Sequence, residues 1–207
     1  MKYLLVCILF FLPLHAENYP SFTQNELKNI SKKNPISAHR IQDYTHYMQS
    51  CKQYPPHIKL NRVNFYLNRL LSQYDDITNK QADHWATPKE FLTGGYGDCE
   101  DYAIIKYYSL IKLGFDEKRL FLSIVTENFY GGGHMVLAYF QTDKAPPLIL
   151  DNLSFKILDL QKRSDLTPQY FINSTGIYTI TPQFTLHKVA SSYPKFEALR
   201  QKVQKNH

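Results

Sequence analysis

The sequence predicts an α+β domain, with helices first and an antiparallel sheet after them. Two observations carry this prediction. Apolar residues recur at helical spacing between Ser37 and Gly114. Beyond Gly114 the rhythm changes to short apolar runs separated by Gly, Pro and Asn clusters. With 207 residues, 43% of them hydrophobic, the chain is long enough to bury the core that such a single domain requires.

The chain starts with Met1-Lys2-Tyr3, an apolar run from Leu4 to Leu14, and Leu14-His15-Ala16. This order of charge, apolar stretch and small residue reads as a secretory signal peptide over residues 1–16, cleaved after Ala16, leaving one domain over 17–207 in the periplasm or beyond. The run is about 11 residues, short of the roughly 20 that span a bilayer, so no stable membrane insertion is expected. Loss of Lys2 lowers the formal charge from +6 to +5. The basic residues are scattered rather than massed, which argues against nucleic acid as a partner.

A polar stretch runs to Pro35, and Ser37 to Gln53 then reads as a helix with Ser37 as N-cap and Pro55-Pro56 ending it. Leu60, Val63, Leu67, Leu70, Leu71 and Tyr74 share one face of a second helix, followed by a loop from Asp75-Asp76 to Asp83. Thr87-Pro88-Lys89-Glu90 sets a capping Thr, a first-turn Pro and a reciprocal Glu at the start of a short helix ending at Gly94-Gly95. Trp85, just before it, is open to core packing or to lining a groove. From Asp98 the positions Cys99, Ala103, Tyr107, Leu110 and Ile111 form a helical stripe of roughly 24 Å, which Gly114 closes. Strands are expected over 120–126, 134–140, 148–151, 170–172 and 176–180, and a last helix over 194–203 with Phe196, Leu199 and Val203 inward.

Asp98-Cys99-Glu100-Asp101 places a thiol among three carboxylates at a helix start. The helix dipole and first-turn N–H groups favour thiolate, the nucleophilic form. After the leader, Cys51 is the other cysteine. A structural disulfide between the two is one reading, but Cys51 continues the stripe Ile41, Tyr44, Met48, which would bury it in the core. A thiol nucleophile needs an imidazole, and His134 follows Gly131-Gly132-Gly133 and opens an apolar strand. Its plain alternative is an ordinary strand-end histidine. If strands 134–140 and 145–151 pair across a tight hairpin, His134 faces Asp151, close enough for the carboxylate to fix the imidazole tautomer. The three acids beside Cys99 either favour the helix N-terminus alone or hold a cation. About 8 Å from a thiolate, each carboxylate opposes it by roughly 2 kcal/mol at an effective dielectric of 20. Hard oxygen donors suit Ca²⁺, with further ligands from backbone, water or the Asp75-Asp76 loop.

Trp85-Ala86-Thr87-Pro88, Gly97-Asp98-Cys99-Glu100-Asp101-Tyr102-Ala103, His134-Met135-Val136-Leu137-Ala138 and Leu150-Asp151-Asn152-Leu153 resemble blocks of the bacterial transglutaminase-like cysteine proteinases of LapG type, over roughly Ser37 to Ile180. Tyr96, the glycines before Asp98 and the Gly131–Gly133 run depart from the pattern. The resemblance implies a papain-like or transglutaminase-like core with Cys99, His134 and Asp151 as a catalytic triad. It also implies calcium near the nucleophile on Asp98, Glu100 and Asp101. It further implies a periplasmic endopeptidase that cuts the N-terminal region of a large repeat-containing surface adhesin, releasing cells from biofilm, and that an inner-membrane cyclic-di-GMP receptor sequesters. Two rivals remain: a transglutaminase-like acyl transferase or amidase with the same triad, and a calcium-binding interaction domain without activity.

Overall fold

The computed structural model describes residues 19–73, 84–129 and 131–206. The expected leader, with Cys7, lies outside the described residues, as do Tyr74 and the loop from Asp75 to Asp83.

Helices lead and an antiparallel sheet comes after them, as the periodicity predicts. The helices are α1 (Gln24–Lys33), α2 (Pro35–Cys51), α3 (Pro56–Leu67), α4 (Pro88–Gly94), α5 (Cys99–Lys112) and α6 (Pro194–Lys205). Two short strands, β1 (Leu71–Ser72) and β2 (Tyr96–Gly97), pair in parallel ahead of α5. The main sheet comprises β3 (Leu120–Glu127), β4 (Gly133–Tyr139), β5 (Leu148–Asp151), β6 (Ser154–Asp159), β7 (Leu166–Asn173), β8 (Gly176–Ile180) and β9 (Leu186–Ala190). Its order is β6-β5-β4-β3-β7-β8-β9, antiparallel throughout. No described helix is long and apolar enough to cross a membrane.

The sheet has a core on each face. Alternation along β4 sends Met135 and Leu137 to the helical side, with Ile104, Tyr107 and Ile111 of α5, while Val136 and Ala138 join Phe121, Phe140 and Phe171 on the other. Every residue of α5 from Asp101 to Ile111 is buried, so this helix is the pillar of the domain. At 14 residues it is about 21 Å long, and Gly114 closes it at φ 88°. The stripe Ile41, Tyr44, Met48, Cys51 is buried as expected, and so are Phe196, Leu199 and Val203 of α6. Cys51 and Cys99 are both free, so the disulfide reading is not realised. Trp85 is a core residue stacked on Tyr193 at 5.8 Å.

Several expectations need correction. The polar stretch before Pro35 contains α1, opened by a capping box between Thr23 and Glu26, although none of its residues is buried. Helix α2 starts two residues early: the Asn34 side chain accepts from the N–H groups of Ile36 and Ser37, and Pro35 takes the first turn. Ser37, the expected cap, instead donates to the Thr93 carbonyl at 2.6 Å. Helix α3 stops at Leu67 because tertiary partners claim the residues after it. Asn68 donates to backbone carbonyls of Asp151 and Ser154, and Leu71 and Ser72 pair with Tyr96 and Gly97. Strands β6 and β9 were not foreseen.

The β4–β5 register also differs. A tight hairpin would set Leu137 opposite Leu148, yet Leu137 faces Leu150, a slip of two residues. Pro146-Pro147 belong to a wider loop from Phe140 to Pro147. A slip of one residue would turn Asp151 to the opposite face, whereas two residues preserve the face. His134 and Asp151 thus become diagonal neighbours, still within reach of long side chains.

Candidate active site

Cys99 is the first residue of α5, carried there by a sharp turn out of β2. The turn needs glycine at position 97: a Cβ there would sit 2.7 Å from Cβ and Oδ2 of Asp101 and 2.9 Å from the Phe91 ring. Just before it, α4 forms as the sequence predicts, with Thr87 and Glu90 in a reciprocal capping box and Gly95 left-handed at φ 83°. Asp98 is the N-cap of α5 but makes no side-chain cap hydrogen bond, and the first intrahelical bond runs from the Tyr102 N–H to the Asp98 carbonyl. The N–H groups of the first turn therefore have no helical acceptor.

The partly buried thiol of Cys99 donates to Glu100 Oε2 at 3.1 Å. Burial, then the charge and hydrogen bond of Glu100, push its pKa well above the ordinary thiol range, and the Asp98 charge adds to this. The Met135 N–H, which faces the sulfur, acts in the opposite sense. Desolvation and the local carboxylates thus oppose the thiolate that a helix start favours.

Met135 is the neighbour of His134 on β4, the strand whose backbone faces the thiol. His134 Nε2 lies 2.9 Å from Asp151 Oδ1, with both side chains nearly closed to solvent. The sequence-derived pair is therefore assembled, by diagonal rather than direct opposition. Nε2 is engaged by the carboxylate, so Nδ1 is the imidazole nitrogen that Asp151 leaves unoccupied.

Asp151 is 2% exposed and fully occupied. Its Oδ1 also accepts from the Leu153 N–H at 2.9 Å, and its Oδ2 accepts from Arg163 at 2.7 Å. Burial by itself raises the carboxyl pKa, but hydrogen bonds and charge from His134 and Arg163, with the Leu153 N–H, more than reverse this and hold it well below the usual carboxylate range. Arg163 was missed by sequence reasoning. It comes directly after a short 3₁₀ turn (Leu160–Lys162), is 7% exposed, and grips Asp165 through Nε and Nη2 at 2.6–3.1 Å. Nothing in Arg163-Ser164-Asp165 distinguishes a buried ion pair from a solvated one.

A second buried cation was also unforeseen. Lys106 lies two turns along α5 from Cys99, is fully buried, and its Nζ has no hydrogen-bond partner among the described residues. Its charge interacts with Asp151, and its Nζ sits 5.8 Å from the centre of the Tyr102 ring.

The expected calcium donors divide. Asp98 and Glu100 flank the thiol and act on its charge, whereas Asp101 is 2% exposed, accepts from the Ala86 N–H at 2.7 Å, and lines a hollow of about 130 Å³ with His84, Glu90 and Tyr96. Among the described residues no three His, Cys, Asp or Glu side chains converge on one point as a metal cage would require. Hard oxygens beside the thiol fit calcium in kind, and two carboxylates by themselves fall short of the six to eight ligands calcium takes.

A family model of bacterial transglutaminase-like cysteine proteinases matches residues 23–173. Solved structures of Legionella pneumophila LapG share the fold. The calcium-bound form aligns with a TM-score of 0.73 and 33% identity, covering 85% of this chain and 98% of that one. The EGTA-treated form gives 0.73 and 32%, over 86% and 97%. A further LapG structure gives 0.74 and 32%, over 89% and 97%. No match was found among functionally curated protein sequences. The antiparallel sheet with its helical layer is a transglutaminase-like fold, and the chain belongs to the bacterial transglutaminase-like cysteine proteinases.

Proposed function

We propose that this protein is an exported, calcium-dependent cysteine endopeptidase that acts in the periplasm on the N-terminal region of a large surface adhesin, releasing it and dispersing biofilm. The observation that carries the catalytic reading is the 2.9 Å bond between His134 Nε2 and Asp151 Oδ1 beside the strand that faces Cys99.

In this reading Asp151 holds the Nε2–H tautomer, so Nδ1 accepts the Cys99 thiol proton as sulfur attacks the peptide carbonyl. The new C–S bond gives a tetrahedral oxyanion, which first-turn N–H groups of α5 stabilise. Imidazolium returns the proton to the leaving amine as the C–N bond breaks. Water, deprotonated by the same imidazole, then hydrolyses the thioester and regenerates the thiol.

Asp98 and Glu100 would hold calcium, and its charge would offset the carboxylates that oppose the thiolate. The support is the donor chemistry at these positions and the calcium-bound and EGTA-treated forms of the similar Legionella protein. Sequestration by an inner-membrane cyclic-di-GMP receptor belongs to the same proposal.

The test is incubation of the mature protein with the adhesin's N-terminal region in Ca²⁺, and then N-terminal sequencing. The expected result is one new N-terminus, lost on chelation, restored by Ca²⁺ and absent with Cys99→Ala. A crosslink or modified amide instead would favour acyl transfer. Turnover by Cys99→Ala would end both enzyme readings, and full activity in excess chelator would end the calcium role.

A further inference from the structure

The carboxylate that orients the histidine is itself oriented. Asp151 ends strand β5, and a terminal aspartate can rotate about χ1 and χ2 unless both oxygens are held. Here Oδ1 takes His134 and the Leu153 N–H, while Oδ2 takes Arg163 Nη2. Arg163 is in turn fixed from outside. Nη2 is shared between Asp151 Oδ2 at 2.7 Å and Asp165 Oδ2 at 2.6 Å, and Nε bonds both oxygens of Asp165 at 2.9 and 3.1 Å. The Asp165 side chain, 28% exposed, forms the outer end of this chain of charges, and Asp151 and His134 form the inner end.

We propose that Arg163 is a positioning residue of the peptidase site: its fork, aimed by Asp165, locks Asp151 so that Oδ1 presents to His134 Nε2. This role rests on the endopeptidase reading above. Arg163 makes no bond to Cys99 or His134, so it acts through Asp151 alone. Planarity matters as much as charge, because one ammonium cannot reproduce the two-nitrogen grip on Asp165 while still holding Asp151.

The test uses the mature protein in Ca²⁺ with the adhesin fragment, and compares Arg163→Met, Arg163→Lys and Asp165→Asn, with folding monitored by far-UV circular dichroism. Misplacing a reacting group by about 1 Å costs on the order of 100-fold, so Arg163→Met should lose roughly ten- to hundredfold in kcat with KM little changed. Its acid limb of kcat/KM should move to higher pH, because one of the two cations beside the buried His134–Asp151 pair is gone, Lys106 being the other, and the pair then takes up a proton more readily. Arg163→Lys should lose kcat while keeping the acid limb, and Asp165→Asn should show a smaller loss of the same kind.

Nitrogen-15 spectra of His134 supply a readout that needs no turnover: one Nε2–H tautomer in the wild type, a mixture in Arg163→Met. A folded Arg163→Met with kcat within twofold, an unmoved acid limb and a single tautomer would overturn the proposal, even if its melting temperature fell. If Arg163→Met does not fold, unchanged kcat in both other variants overturns it equally. A wild type that cleaves nothing would instead defeat the endopeptidase reading, and the tautomer comparison would still decide the role of Arg163.

Discussion

Replacing Lys106 with methionine should stabilise the protein near neutrality, and the gain should shrink as pH rises. The ammonium is fully buried with no hydrogen-bond partner among the described residues. Burial lowers its pKa from the ordinary 10.5 to about 7, against an opposing pull from Asp151. Proton counting gives the sign. Above pH 7 the unfolded chain keeps a proton that the folded chain has shed, so wild-type stability climbs between about 7 and 10.5. At about 1.4 kcal/mol per pH unit the full displacement is worth about 5 kcal/mol, an upper value for so buried a group. Between pH 7 and 9 the share recovered is about 2 kcal/mol, since the folded lysine is still half protonated at the lower limit. Stopping at pH 9 stays below ionisation of the unfolded-chain tyrosines, and subtracting the variant removes contributions common to both chains. Methionine is close in volume and places no charge in the core. The assay is urea unfolding of Lys106→Met and wild type at pH 7, 8 and 9, under reducing conditions. The variant should be the more stable at pH 7, with the difference falling by about 2 kcal/mol by pH 9. Parallel stability curves, or a variant less stable at pH 7, would refute the reasoning.

Three further predictions concern the frame around the thiol. Gly97→Ala puts a methyl group within 3 Å of Asp101 and Phe91, so melting should report a loss of about 1–3 kcal/mol and cleavage should fall as the start of α5 shifts; an unchanged variant would reject the close approach. Asp151→Asn should lower kcat by up to roughly 10⁴-fold through the wrong imidazole tautomer. The same carboxyl, depressed in the fold, contributes stability that is full above about pH 4 and is lost as pH falls below it, so the variant's acid unfolding curve should be flatter; superimposable curves would contradict the coupling to His134 and Arg163. Thr87→Ala removes the buried hydroxyl that caps α4 and should cost about 1 kcal/mol in denaturant unfolding, whereas no loss would mean that the capping box is idle.

Much of the site was legible because its signals are local. A cysteine at a helix start, a histidine opening an apolar strand and an aspartate ending the next are each written within a few residues, as is the capping box of α4. The features that failed to show depend on distant partners. The end of α3 is set by Asn68 reaching the β5–β6 turn, which no periodicity foretells. The register of β4 on β5 was misjudged because a Pro-Pro pair widened the loop, and the His134–Asp151 contact survived only because a two-residue slip preserves side-chain faces. Arg163 and Lys106 look like ordinary surface cations until the fold closes over them. Helix α1 carried a readable cap at Thr23, but its weak apolar content masked it.

The central claim is that Cys99 is a nucleophile activated by His134. Its most direct measurement is the rate of iodoacetamide labelling at pH 7 with Ca²⁺, read by peptide mapping of wild type and His134→Ala. The account predicts labelling at Cys99 in preference to the buried Cys51, with a rate that falls at least about tenfold when the imidazole is removed. Equal labelling of the two cysteines, or a Cys99 rate indifferent to His134, would contradict it.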